Sequence, residues 1–184
     1  ISMSLPIILL GGLVLIVLYV VGVYNGLVAN KTQIRASVSE IGNQLKRQSE
    51  LIPNLETSAK AYLAHEKGIL KMLADARKMS DPTAKVAELL PKLQVIMESN
   101  PQMKGADVIT NLMGELRDTS DKVMYSRRTM IDLTADYNIK LATFPSNLVA
   151  NAFGFKSEKG LDMPNSGEFL KVSESETETP KLSL

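Results

Sequence analysis

The sequence predicts an all-α protein with one N-terminal membrane-spanning helix, and three observations carry that prediction. Residues 5–23, LPIILLGGLVLIVLYVVGV, form an apolar run without a single charge. Beyond it, apolar side chains recur at intervals of three, four or seven, which is the period of one face of a helix. Finally, the prolines fall mainly between helical stretches, aromatic residues are only 5% of the chain, and the helix formers Leu, Ala, Lys, Glu and Met are abundant.

Composition narrows the function classes. A chain of 184 residues suits one domain with attachments. It has no cysteine, so disulfides and cysteine-based zinc sites are excluded. The 21 basic and 20 acidic residues interleave and leave a net charge of +1, so no basic stripe exists for a nucleic acid to follow. We expect no nucleic-acid partner.

The run at residues 5–23 spans most of a hydrocarbon core at about 1.5 Å per helical residue. A cleaved signal peptide would want a basic leader, a shorter apolar core and a small-residue cleavage site, and none of these is present. Tyr19 and Tyr24 suit interfacial positions. The first basic residues, Lys31 and Arg35, follow the run, and no charged side chain precedes it. The positive-inside rule then places the N-terminus outside and the helical part in the cytoplasm. Gly11, Gly12 and Gly22 would permit close helix approach, although no GxxxG spacing is expected.

Leu27, Ile34, Val38, Ile41, Leu45, Ile52, Leu55, Ala59 and Tyr62 form the next apolar stripe, which keeps phase across Pro53 and continues to Ile69, Leu73 and Ala76. Two geometries fit: a turn at residues 52–54 with a new helix opening at Pro53, or one long kinked helix. Asp81 and Pro82 close the segment. A shorter helix is expected over residues 83–98, interrupted by Pro91, with Val86, Leu89, Leu90, Leu93 and Ile96 inward. SNPQMKG breaks the chain. The last long helix, residues 106–142, is marked by Ile109, Leu112, Met113, Leu116, Val123, Met130, Leu133, Tyr137 and Leu141. FPSN (residues 144–147) ends it, with Ser146 or Asn147 available to cap a short helix in LVANAFGF. From Lys156 the composition turns to Ser, Glu, Thr and Pro, as in a flexible acidic tail. The expected organisation is thus an anchor at 1–23, a helical domain at 24–155 and a tail at 156–184.

No constellation for chemistry emerges. His65 and Glu66 begin as HExxH would, but the fourth position on is Ile69 and there is no other histidine. The carboxylates are spread along helices, and neither a nucleophile elbow nor a phosphate-cradling glycine loop occurs. We expect no catalytic, cofactor or metal site, and no enzyme. The pairs Lys46–Arg47 and Arg127–Arg128 suit surface pairing between helices better than headgroup binding, and the methionines suit core filling.

Several motifs together resemble the LemA family of bacterial membrane-anchored proteins. They are YNGLV (24–28), QLKR (44–47), ELIPNL (50–55), KAYLAHE (60–66), NPQMK (100–104), SRR (126–128) and DYNIKLATFPSNLVANAFGF (136–155), spread over about 130 residues. The chain departs from the family pattern at Val38 and Gly42, where Trp and Asp are usual, at Gln48 for a second Arg, and at Met130 and Ile131 for a Tyr-Asn pair. The resemblance implies an antiparallel four-helix bundle of long helices, which favours the turn at Pro53; a long kinked hairpin is the alternative. It also implies that Tyr137 and Asn138, with Phe144 and Pro145, return to Tyr24 and Asn25 as a membrane-proximal belt.

The function expected is a non-enzymatic scaffold in the bacterial inner membrane. It would self-assemble as a homo-oligomer on the lipid bilayer and organise or recruit membrane components. An adaptor for another membrane protein, a protease or a signalling protein, is the second expectation. The contact residues expected are Tyr24, Asn25, Lys46, Arg47, Pro53, Arg127, Arg128, Tyr137, Asn138, Phe144 and Pro145.

Overall fold

Apolar residues with nothing to hydrogen-bond except their own backbone, followed by an in-phase stripe, give α1 (Ser4–Ala59), a single helix of 56 residues. It appears in a computed structural model that describes residues 4–160 apart from Gly105. The remaining helices are α2 (Lys67–Lys78), α3 (Thr83–Ser99), α4 (Pro101–Lys104), α5 (Asp107–Ala142) and α6 (Ser146–Ala152). The fold is all-α, with no strand among the described residues. Residues 161–184 of the expected tail lie outside the described residues.

Pro53 does not open a helix, contrary to the family-based expectation, because α1 runs through it to Ala59. A proline inside a helix costs about 3 kcal/mol. Against this, Leu51, Ile52, Leu55 and Ala59 all lie buried on one face spanning the proline, and each large apolar side chain so buried contributes roughly 1.5–3 kcal/mol. A break at residue 53 would throw Leu55 and Ala59 out of register, so burial wins. The Ser49 carbonyl loses its usual N–H partner, and Thr57 Oγ1 donates to the Pro53 carbonyl at 2.9 Å.

The reversal comes instead at residues 60–66, where Leu63 is fully buried and pins the turn. Its N–H donates to the Ala59 carbonyl at 3.0 Å, and its own carbonyl accepts from Glu66 at 2.9 Å. His65 is exposed on this turn.

α5 returns antiparallel along α1, and α2 and α3 cover the distal half of that pair. The distal core joins Leu51, Ile52 and Leu55 of α1, Leu73 of α2, Val86, Leu89 and Leu93 of α3, and Ile109 and Leu116 of α5. Of the four long helices expected, only α1 and α5 are long; α2 has 12 residues and α3 has 17. α3 also continues through its proline, Pro91, on its exposed side. Nearer the N-terminus α1 and α5 pack against each other, and Leu27, Ile34, Tyr137 and Ala150 of α6 make a second core. Before that core α1 projects alone: Ile7 through Leu18 are at least half exposed wherever the side chain is large and apolar. This is one helix long and apolar enough to cross a membrane.

A polar clamp ties the distal half together. Gln48, fully buried, donates to Ser120 Oγ at 3.0 Å and accepts from Thr83 Oγ1 at 3.3 Å. Asp81 accepts from the Thr83 N–H at 3.2 Å and pairs with Arg127. Gln48 of α1, Asp81 in the turn before α3, Thr83 at its start, and Ser120 and Arg127 of α5 are thereby tied together.

Candidate functional site

At the end of α5 the expected belt residues converge, although not as a free surface. Tyr137 is fully buried, and its hydroxyl donates to the Lys156 carbonyl at 3.1 Å. Asn138 holds the next stretch by both ends of its amide: Nδ2 donates to the Glu158 carbonyl at 2.9 Å, and Oδ1 accepts the Glu158 N–H at 3.1 Å. The Glu158 carboxylate meets Lys31 of α1 at 2.8 Å. Tyr24 stacks edge-on against Phe153 and Phe155, with centroids 5.0 and 5.5 Å away. Residues 153–158 thus form a strap laid back over α1 and α5. Burial pushes the Tyr137 hydroxyl pKa up, the Lys31 charge opposes that shift and the Glu158 charge adds to it.

Other belt residues remain outward. Phe144 is 74% exposed and Asn25 is exposed. Pro145 follows a cis peptide bond and stands at the start of α6. Ser146 does not cap α6; its hydroxyl donates back to the Lys140 and Thr143 carbonyls at 2.6 and 2.8 Å, closing the end of α5. Asn147 makes no cap either.

The basic pairs occupy different places. Arg47 meets Glu115 of α5 at 3.0 Å. Arg127, about 18 Å further along α5, pairs with Asp81 instead. Burial works to raise the Asp81 carboxyl, but hydrogen bonds from Arg127 and Thr83 and the Arg127 charge hold it below its ordinary value. Lys46 and Arg128 are exposed. Among the described residues no group of three or more His, Cys, Asp and Glu side chains converges as metal ligands do.

Two concavities accompany these contacts. One, of about 360 Å³, is lined by Tyr19, Gly22, Val23 and Gly26 of α1 with Lys140 and Ser146. The other, of about 400 Å³, lies between α3 and α5, among Ala84, Ala87, Pro91, Arg117, Asp121 and Met124. Gly22 and Gly26 are a GxxxG pair that the sequence reading missed, because Gly26 lies just past the apolar run. A Cβ at either would meet nothing within 4 Å. Asn30 beside them is oriented by its neighbours: with its nitrogen on the Gly26 carbonyl at 3.3 Å, its oxygen accepts from Lys140 Nζ at 3.1 Å.

The LemA family model matches residues 37–174. The chain belongs to the LemA family. The match takes in ELIPNL, KAYLAHE, SRR and the whole of the α5–α6 junction, whereas the apolar run and YNGLV precede it. No curated relative matches the chain. The LemA region therefore includes the strap and both partners that clasp it, Tyr137 and Asn138.

Proposed function

We propose that this LemA protein is a non-enzymatic scaffold of the bacterial inner membrane, anchored by the first part of α1 and self-assembling through its helical part. The single observation that carries the reading is the continuity of α1. The same helix leaves the apolar run, passes Tyr24 and becomes the spine of the packed distal half. An anchor joined without a hinge to a rigid rod sets a defined height and direction above a bilayer, which suits organising neighbours more than turning over a substrate. His65 exposed on a turn and carboxylates scattered over separate helices agree with a non-catalytic role. In this reading the N-terminus is outside and the rod is cytoplasmic, following Lys31 and Arg35.

The test is the full chain purified in mild detergent and weighed by native mass spectrometry. Multimers of this chain alone support the scaffold, and a monomer alone overturns self-assembly. A stoichiometric second protein would support an adaptor instead. That second reading is favoured by the α3–α5 groove, beside which Met124 is 57% and Tyr125 is 73% exposed. Sidedness is checked with Ala64→Cys, the sole thiol in a chain without cysteine. An impermeant maleimide should label it only after the cytoplasmic membrane is opened.

A further inference from the structure

Around the α5–α6 junction large apolar side chains stay more than half exposed. Phe144 is 74% exposed, Ile139 60%, Leu148 59% and Phe153 55%. A patch of large exposed apolar residues on a rim of polar ones marks a contact surface. Its height relative to α1 identifies the contact. Ser146, two residues past Phe144, lines the same groove as Tyr19, Gly22 and Val23. Those three belong to the last turn of the apolar run, and Tyr19 lies about 6 Å inside the run's end at Val23. The turn at residues 143–145 is therefore level with the boundary of the hydrocarbon core, where aromatic side chains settle and apolar ones are buried to a depth of about 5–10 Å. Lys140 stands one turn of α5 earlier, beside Gly26 and beyond the run. An ammonium there is at the level of lipid phosphates, and with the Asn30 amide oriented toward it only one of its three donors is used on that side chain.

We propose that the α5–α6 junction is a membrane foot: Phe144 and Leu148 insert into the leaflet that α1 leaves, and Lys140 pairs with phospholipid phosphate. The occupant of the patch is lipid, because Ser146, between Phe144 and Leu148 in the chain, shares a groove with Tyr19 and Val23 of the apolar run. The inference rests on α1 spanning the membrane. It adds a second attachment point, which would fix the rod's rotation about the α1 axis as well as its height.

The chain has no tryptophan, so a single introduced one reports its own surroundings. Three full-length variants, Phe144→Trp, Leu13→Trp and Tyr125→Trp, are reconstituted into phosphatidylcholine–phosphatidylglycerol vesicles with acyl chains brominated either near the headgroup or near the bilayer centre. Phe144→Trp should be quenched more strongly by the shallow bromine than by the deep one, Leu13→Trp the reverse, and Tyr125→Trp by neither. Leu148→Trp serves as a second reporter of the foot, with the same expectation as Phe144→Trp. If Leu13→Trp is quenched while both foot reporters are not, the foot is refuted and the anchor stands. If Leu13→Trp is not quenched either, the anchor reading falls with it. Foot reporters shielded from aqueous iodide yet untouched by bromolipid would mean that protein, a second copy or a partner, covers the patch, and the proposal would be wrong.

Discussion

Asn138 shows how much one side chain decides. Its amide presents a donor and an acceptor at the spacing of a backbone residue, so it pairs with Glu158 as a neighbouring strand would. Tyr137, next to it, holds Lys156 from inside the core. A buried hydrogen bond contributes about 0.5–1.5 kcal/mol, and leaving its partner unsatisfied costs about 1–3 kcal/mol. Asn138→Ala should therefore release the strap while sparing the distal core: amide exchange at Glu158 should accelerate and that at Leu116 should not. Tyr137→Phe keeps the ring and loses one bond, so thermal unfolding should show a loss near the lower of those figures. Tyr137→Ala, which empties a fully buried site, should cost about 3–5 kcal/mol. The Asp81–Arg127 pair adds a pH dependence. The folded carboxyl titrates below its ordinary 3.8, so the pair contributes its full stabilisation above that value and loses it as pH falls through the lower folded pKa. Both partners are about a third or more exposed, which limits the effect to under about 1 kcal/mol. Urea midpoints of wild type and Asp81→Asn should differ at pH 6 and converge toward pH 2.

At the scale of elements, α1 poses the sharpest test. Since the helix passes through Pro53, Pro53→Ala gives the Ser49 carbonyl a partner and removes the ring clash. Stability should rise, by less than about 3 kcal/mol because the neighbouring backbone is already adapted to the ring. A proline at the first position of a helix would give the opposite sign, so a fall in the melting temperature would contradict the continuous helix. The residues of ELIPNL made the stripe legible, because apolar periodicity survives any interruption that leaves the face in register. They did not disclose which way Pro53 would go, since that depends on how much the far side buries. The turn at residues 60–66 was illegible for a related reason. KAYLAHE contains good helix formers and neither Gly nor Pro, and the chain reverses there because Leu63 has a core to enter. The strap was hidden by its composition: Lys156, Ser157 and Glu158 read as the start of a polar tail, and they are held by Tyr137 and Asn138 through their backbone groups and by Lys31 through the Glu158 carboxylate. Tyr137 and Asn138 are expected from the sequence as part of an assembly surface beside Tyr24; in the fold they bond to Lys156 and Glu158 instead, and burial makes Tyr137 unavailable to a partner.

For the whole molecule, the question is whether the rod stands or lies. From Tyr24 to Ala59, α1 has 36 residues beyond the apolar run, so a standing rod places the turn at residues 60–66 about 50 Å from the core boundary. The strap contacts Tyr24 and Lys31, so in that arrangement it would stay beside the membrane. Donor dyes on Ala64→Cys and, separately, on Ser157→Cys, with acceptor-labelled lipids in vesicles, read the two heights directly. Ser157→Cys should transfer efficiently and Ala64→Cys weakly. Efficient transfer from both would mean that α1 bends over onto the bilayer, and the scaffold would lose the reach that motivates it. The same geometry constrains the exposed cation Lys46. It lies about 35 Å past Val23 along α1, several times the Debye length of about 8 Å at physiological ionic strength. Lys46→Glu should thus leave the affinity for anionic vesicles unchanged, whereas Lys140→Glu, at the foot, should weaken it. A vesicle titration in which Lys46→Glu weakened binding as much as Lys140→Glu would place the distal half on the membrane and bring the rod down.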